Sequence, residues 1–233
     1  ALPVSVLERW RELTGHTLLE RYGMTEFAMA LSNPYKPVTE RHPGHVGLPL
    51  PSASVRLVDD ETGAIILEAN RGGNLQVKGP IMFQKYLNRP EATREAFDVD
   101  GIFQTGDVAE FNDEISSYRI LGRQSTDILK VGGYKLSALD IEREILEHPD
   151  VAEVAIVGVA DETWGERVGM LCRLKVGSSR MTLESLRHWC ETRMAKYKVP
   201  SKLRVVKEIP KNAMGKVNKK SLVKLFEGDD ETI

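Results

Sequence analysis

From Ser137 the chain reads Ser-Ala-Leu-Asp-Ile-Glu-Arg-Glu-Ile-Leu-Glu-His-Pro, and no other stretch leaves the fold so little freedom. Ile141, Ile145 and Leu146 recur at the spacing of one helix face. Ser137 with Asp140 three residues on forms a Ser-x-x-acid start signal, and Pro149 bars continuation. Apolar runs follow at Val151 to Val159 and Val168 to Val176. Val168, Met170, Cys172 and Leu174 share one face of the second. A helix from Thr182 to Met194, a strand near Leu203 to Val206 and a last helix from Asn218 to Phe226 complete this part. The pattern predicts a small α+β unit, with helices on an antiparallel sheet.

Upstream the character differs. Val6, Leu7, Trp10 and Leu13 predict a helix over Val4 to Leu13, and Thr14-Gly15-His16 stops it. Thr17 to Glu20 reads as a short strand. The Pro- and Gly-rich run from Asn33 to Pro51 carries too much punctuation for regular structure. Strand patterns then recur at Ser54 to Val58, Asn74 to Val77, Val108 to Phe111 and Tyr118 to Leu121, with one helix from Pro90 to Phe97. The boundary falls between Arg123 and Asp127, so residues 1–123 and 124–233 are expected to be separate units of a mixed α/β protein. The acidic tail, Glu227 to Ile233, is expected to fray.

Composition narrows the function. A formal net charge of -2 supplies no bulk field for nucleic acid or an anionic membrane. No apolar run approaches the roughly 20 residues that a membrane-spanning helix needs. Cys172 and Cys190 lack paired metal spacing, fit a reducing compartment and are expected in the core. His16, His42, His45, His148 and His188 form no helical metal pair, and His42 and His45 read as solvated loop residues. No Gly-x-Ser-x-Gly elbow points to a hydrolase. The opening Ala-Leu-Pro-Val-Ser-Val-Leu-Glu-Arg-Trp reads like the interior of a longer fold.

Four separated stretches carry chemistry. In Tyr22-Gly-Met-Thr-Glu26, Gly23 permits close backbone approach, Thr25 offers a donor to a phosphate oxygen, and Glu26 is a hard ligand for Mg2+. Alone, the stretch reads first as a polar turn with no ligand. In Thr105-Gly-Asp107 the carboxylate can accept both hydroxyls of a ribose, or simply open a strand. Leu121 to Ser137 sets Arg123, Lys130 and Lys135 around Gly132-Gly133. Arg123 can fork onto ribose or phosphate, and the alternative is a surface hairpin with solvated charges. Ile209 to Leu222 delivers Lys216, set apart by Gly215, just before a helix. A lysine on a loop can neutralise developing negative charge. Lys219, Lys220 and Lys224 read as solvated charges of the helix start.

In this order the motifs resemble the C-terminal half of the adenylate-forming (AMP-binding) acyl-CoA synthetases, relatives of luciferase and of peptide-synthetase adenylation domains. The resemblance implies the end of a large nucleotide-binding domain followed by a small mobile lid. It implies ATP, Mg2+ and CoA, a carboxylic acid substrate, and no nucleic-acid partner. On this pattern Tyr22 packs by adenine beside Gly23, Thr25 binds the α-phosphate, and Glu26 holds Mg2+. Asp107 and Arg123 hold the ribose, and Lys216 bridges substrate carboxylate and phosphate. Gly132, Gly133 and Tyr134, with Lys130 and Lys135 nearby, face the thioester step. A hinge follows Arg123. The spacing to Gly133 is one residue longer than in many relatives, which leaves Ser125, Thr126 and Asp127 as pivots, with Asp127 preferred. The family's phosphate loop lies upstream of this stretch, so the chain alone is expected to be inactive.

Arg21, just before Tyr22, stands where most relatives carry a small or apolar residue. With Phe27 to Tyr35 and Arg41 to Pro51, it resembles the malonyl-CoA synthetases, including a mitochondrial member, which implies a matrix location. A guanidinium suits a second carboxylate. A structural ion pair with Glu20, Glu26 or an acid outside this stretch is the alternative, and Phe27 and Met29 are candidate walls of the acyl site or core residues. Other acyl-CoA ligases, or a non-catalytic nucleotide-binding module, are the competing functions.

Overall fold

The computed structural model describes residues 2–178 and 180–226. It divides into two compact units, Ala1–Gln124 and Ser125–Ile233. The acidic tail lies outside the described residues.

The first unit opens with α1, Val4–Thr14, closed by Gly15 in the left-handed conformation (φ 72°). Only Leu7 of its expected apolar stripe is buried; Val6, Trp10 and Leu13 are exposed. The strand expected at residues 17–20 is absent. Pairing begins instead at β1, Arg21–Tyr22, antiparallel to β2, Leu31–Ser32, which pairs in turn with β3, Leu48–Pro49. A strand needs a ladder partner as well as an apolar pattern. The Pro-rich run is not wholly irregular: it contains β3 and a 3-10 turn, Val38–Glu40.

A four-stranded antiparallel meander follows, in the order β4 (Ser54–Val58), β5 (Gly73–Lys78), β6 (Phe103–Asn112) and β7 (Ser117–Arg123). α2, Pro90–Glu95, lies between β5 and β6 and ends two residues earlier than expected. The expected strands at 108–111 and 118–121 prove to be parts of one long hairpin, β6–β7. Its turn is set by the Asn112 side chain, which accepts the Ile115 N–H, and by Ser116 at φ 48°. Phe27, Leu31, Leu75, Val77, Phe103 and Ala109 close a core around this sheet.

The second unit starts with the hairpin β8 (Ile128–Val131) and β9 (Tyr134–Ser137). Gly132 and Gly133 both take positive φ (56° and 84°), which is what a two-residue hairpin turn of this hand demands. α3, Ala138–Leu146, follows as expected, with the Ser137 hydroxyl accepting the Asp140 N–H at 3.1 Å. β10 (Val151–Asp161) and β11 (Gly165–Leu174) form a long antiparallel pair, and β12 (Lys202–Val205) adds to β11 in parallel. α4, Leu183–Cys190, sits between β11 and β12, capped by a Thr182–Ser185 box. α5, Lys219–Val223, and a final 3-10 turn, Lys224–Phe226, complete the unit.

This sheet is covered on both faces. Val168, Met170 and Cys172 pack with Ile141, Ile145, Leu186 and Cys190, while Leu171, Ala155 and Val157 pack with Ile209, Leu222 and Phe226. Each fully buried isoleucine or leucine contributes about 1.5–3 kcal/mol relative to exposure. Cys172 and Cys190 are free and buried, as expected. Burial pushes their thiols up, to about 12 and about 11. At pH 8 neither thiolate is populated or accessible. A thiol-specific chromogenic reagent should therefore label no cysteine in minutes in buffer and both in denaturant; rapid labelling of the native chain would contradict this packing.

Candidate active site

In the first unit, three sequence-distant candidates converge. Asp107 and Arg123 are register partners across β6–β7. The Asp107 carboxylate accepts the Tyr22 hydroxyl at 2.6 Å through Oδ2 and meets Arg123 Nε at 3.0 Å through Oδ1. Arg123 Nη1 also donates to the Thr105 carbonyl at 2.7 Å. The buried Thr105 hydroxyl donates to the Leu75 carbonyl and accepts the Asp107 N–H. Gly106, at φ 72°, lets the backbone turn between these two residues, and a side chain there would also crowd the Arg123 guanidinium. Burial and the Asp107 charge push the Tyr22 phenol far above its ordinary value, so it stays a proton donor. An ionised carboxylate offers about four lone-pair sites, so one group can accept several donors at once.

Tyr22 itself is a core residue, 9% exposed, with its ring 5.8 Å from Phe27. Gly23 is required by crowding: a Cβ there would lie 1.9 Å from the Ala28 carbonyl oxygen. The hairpin between β1 and β2 therefore folds tightly. It presents Thr25 exposed and Glu26 and Met29 half-buried. The Glu26 carboxylate accepts the Tyr86 hydroxyl at 2.8 Å, and its backbone carbonyl accepts the Phe83 N–H at 2.7 Å. Among the described residues no group of three or more His, Cys, Asp or Glu is arranged to hold a metal. A Mg2+ carried on nucleotide phosphates needs only one or two protein carboxylates, and Glu26 fits that more modest demand.

Alternation along β1 puts Arg21 on the face opposite Tyr22, exposed where Tyr22 is buried. There it lines a cavity of about 650 Å3 together with Ser32, Asn33, Tyr35, Glu40 and His42. The rim is held by Arg41, whose guanidinium donates to the carbonyls of Thr17, Pro34 and Tyr35. Asn33, buried, donates to the His45 carbonyl at 2.7 Å. His42 and His45 are half-buried rather than solvated, and burial lowers the pKa of His45.

The remaining candidates lie in the second unit. Lys130 and Lys135 are exposed register partners on β8–β9. Tyr134, 55% exposed, stacks on Tyr197 with ring centroids 4.5 Å apart and an interplanar angle of 3°. Gly132 donates its N–H to the Trp164 carbonyl, and a side chain there would strike the Trp164 ring at 2.8 Å. Gly132, Tyr134, Trp164 and Tyr197 line a cavity of about 310 Å3 with Arg167, Lys196 and Ser201. Lys216 is exposed in a tight turn with Gly215 at φ 74°. Asp127 is buried and forms an ion pair with Lys219 at 2.6 Å. Lys219, read from sequence as a solvated charge, is largely buried, its side chain 11% exposed; it pairs with both Asp127 and Glu142.

Sequence reading missed Tyr86, Thr105, Arg41 and Lys219. Thr105 had a local signal, since it opens the Thr-Gly-Asp stretch. Tyr86 and Lys219 act on residues far along the chain, and Arg41 ties Thr17 to the nearer Pro34 and Tyr35.

The family model for the AMP-binding enzyme matches residues 1–87, and that for the AMP-binding enzyme C-terminal domain matches residues 140–216. The chain belongs to the AMP-binding enzymes. Among curated relatives of this family, the mitochondrial malonate–CoA ligase of Xenopus laevis is 49% identical over 97% of the chain and 41% of the relative. The malonate–CoA ligase of Arabidopsis thaliana is 46% identical over 99% of the chain and 38% of the relative. The chain thus spans about two-fifths of the length of these relatives. Among solved structures of AMP-binding enzymes, ATP-bound MatB from Rhodopseudomonas palustris superposes with a TM-score of 0.87 at 37% identity, over 98% of this chain and 44% of that one. The o-succinylbenzoate CoA synthetase of Bacillus subtilis, solved with an acyl-adenylate intermediate, gives a TM-score of 0.81 at 31% identity, over 94% of this chain and 43% of that one.

Proposed function

We propose that this chain is the C-terminal portion of an acid–thiol ligase that joins malonate to CoA at the expense of ATP. The observation that carries the reading is Arg21: a guanidinium lining the larger cavity, one residue from the Tyr22 that anchors Asp107. The malonate–CoA ligases among its relatives support it.

In the first step a malonate carboxylate oxygen attacks the α-phosphorus of ATP, forming the acyl-adenylate as pyrophosphate leaves. In the second, the CoA sulfur attacks the acyl carbon, the acyl–phosphate bond breaks, the thiol proton passes to solvent and AMP leaves. Little proton transfer is asked of the protein; positioning and charge complementarity supply most of the rate. Asp107, held by Tyr22 and Arg123, accepts the ribose hydroxyls. Tyr22 acts through Asp107. Thr25 donates to the α-phosphate, and Glu26, oriented by Tyr86, holds the metal. Mg2+, when bound, offsets phosphate charge. Lys216 meets the negative charge that builds between carboxylate and phosphate. Arg21 clamps the second carboxylate of malonate, with Met29 on the acyl side. Lys130, Gly132, Gly133, Tyr134 and Lys135 serve the thioester step as the unit beginning near Ser125 pivots as a lid. The mitochondrial names of the animal relatives support a mitochondrial location, which fractionation of cells checks.

A substrate panel on the full-length protein tests the assignment. Its kcat/KM is expected to be highest on malonate; a higher value on octanoate or a neutral aryl acid refutes it.

A further inference from the structure

The turn that carries Lys216 is built by side chains on either side of it. Asn212 Oδ1 accepts the N–H groups of both Met214 (3.0 Å) and Lys216 (2.9 Å). The Asn212 N–H donates to the Lys216 carbonyl at 2.8 Å, and Lys211 bridges to Val217 across the base. Before the turn, Lys211 Nζ is 2.9 Å from Glu153, which also holds Arg173. After it, Lys219 opens α5 and turns inward. Its ammonium lies 2.6 Å from Asp127 Oδ1 and 2.7 Å from Glu142 Oε1.

These two carboxylates come from separate places. Asp127 belongs to the segment that enters the second unit, and its backbone carbonyl accepts the Ala138 N–H at 2.7 Å. Glu142 is on α3 and also accepts the Ile156 N–H of β10 at 2.8 Å. One ammonium therefore ties together the entry segment, helix α3 and the start of α5, three residues beyond Lys216. Side chains of all three members are less than 15% exposed, so the ties are only weakly screened.

We propose that Lys219 is a positioning residue for adenylation: pinned between Asp127 and Glu142, it sets the place from which Lys216 is presented and joins the Lys216 turn to the entry segment as one body. This rests on the reading of Lys216 under Proposed function. Burial raises the pKa of Glu142 while Lys219 opposes the rise, as expected of a carboxylate that depends on this ammonium.

The test uses Lys219→Met and Lys219→Arg in the full-length protein. Lys219→Met is expected to lower malonate-dependent ATP–pyrophosphate exchange at least about tenfold through kcat, with both KM values within about threefold. Thioester formation from supplied acyl-adenylate should stay within about threefold. Lys219→Arg, able to serve both carboxylates, should restore exchange. The double variant Lys216→Ala/Lys219→Met should be no slower than Lys216→Ala alone, because residues acting as a unit are non-additive. Amide hydrogen exchange of Gly215 and Lys216 should accelerate in Lys219→Met. Equal loss in both half-reactions, additivity with Lys216→Ala, or unchanged pyrophosphate exchange overturns the proposal. Should Lys219→Met not fold, Glu142→Gln, which keeps an acceptor for Ile156, carries the same comparison at smaller amplitude. If Lys216→Ala leaves pyrophosphate exchange intact, the reading of Lys216 has failed. Faster amide exchange in Lys219→Met then still reports the tie itself, and unchanged amide exchange removes it.

Discussion

Truncating Arg21 to alanine in the full-length protein is expected to lower kcat/KM for malonate about 100-fold, which is about 2.7 kcal/mol of transition-state binding. The same change should leave a neutral short-chain acid within about threefold. The physical ground is the asymmetry of charge pairing. A carboxylate enclosed in a cavity without its cation costs about 2–5 kcal/mol, whereas a neutral chain end asks nothing of the guanidinium. Arg21→Lys should recover only part of the loss, since an ammonium lacks the planar fork. Steady-state kinetics on paired acids decide it: equal losses on malonate and on the neutral acid would show that Arg21 supports the fold and not the second carboxylate.

The second large effect concerns Asp107. Replacement by alanine removes the carboxylate that accepts the buried Tyr22 hydroxyl and pairs with Arg123, leaving the hydroxyl the weak Met24 sulfur acceptor at 3.5 Å. A buried hydroxyl that loses its strong acceptor costs about 1–3 kcal/mol. Arg123 adds less, because its side chain is 48% exposed and water screens the pair. We expect Asp107→Ala to destabilise the first unit by about 2–3 kcal/mol in chemical denaturation and to weaken AMP binding by calorimetry at least tenfold. Adding Tyr22→Phe should recover part of the stability and none of the nucleotide affinity. A fully additive double variant would show that the 2.6 Å contact does not couple the two residues.

Much of the architecture was legible locally. The Ser137 cap, the Pro149 stop and the stripe of Ile141 and Ile145 specify α3 within one stretch of chain. The Gly132-Gly133 pair specifies a hairpin turn because both positions take positive φ. Motif order likewise indicated the family. Strand boundaries were less legible. Residues 17–20 have the apolar pattern of a strand yet find no ladder, and pairing starts only at Arg21. The apolar spacing of Val6, Trp10 and Leu13 suggested a buried stripe, but burial depends on what faces a helix as well as on its own periodicity.

Charges show most clearly where local reading stops. Lys219, Lys220 and Lys224 look alike in sequence, and each follows from a basic helix start. Among the described residues, Lys219 alone of the three meets two carboxylates, one from the entry segment and one from α3, and so leaves solvent. Tyr22 and Asp107 are 85 positions apart, and nothing near either one announces the other. Sequence alone determined what is written in nearest neighbours: turns, caps, periodicities and the residue types able to bind phosphate, ribose and carboxylate. Tertiary structure alone decided which of those residues share a proton or a charge. Hydrogen bonds and ion pairs act over a few ångströms in space, and chain folding, not chain order, sets those distances.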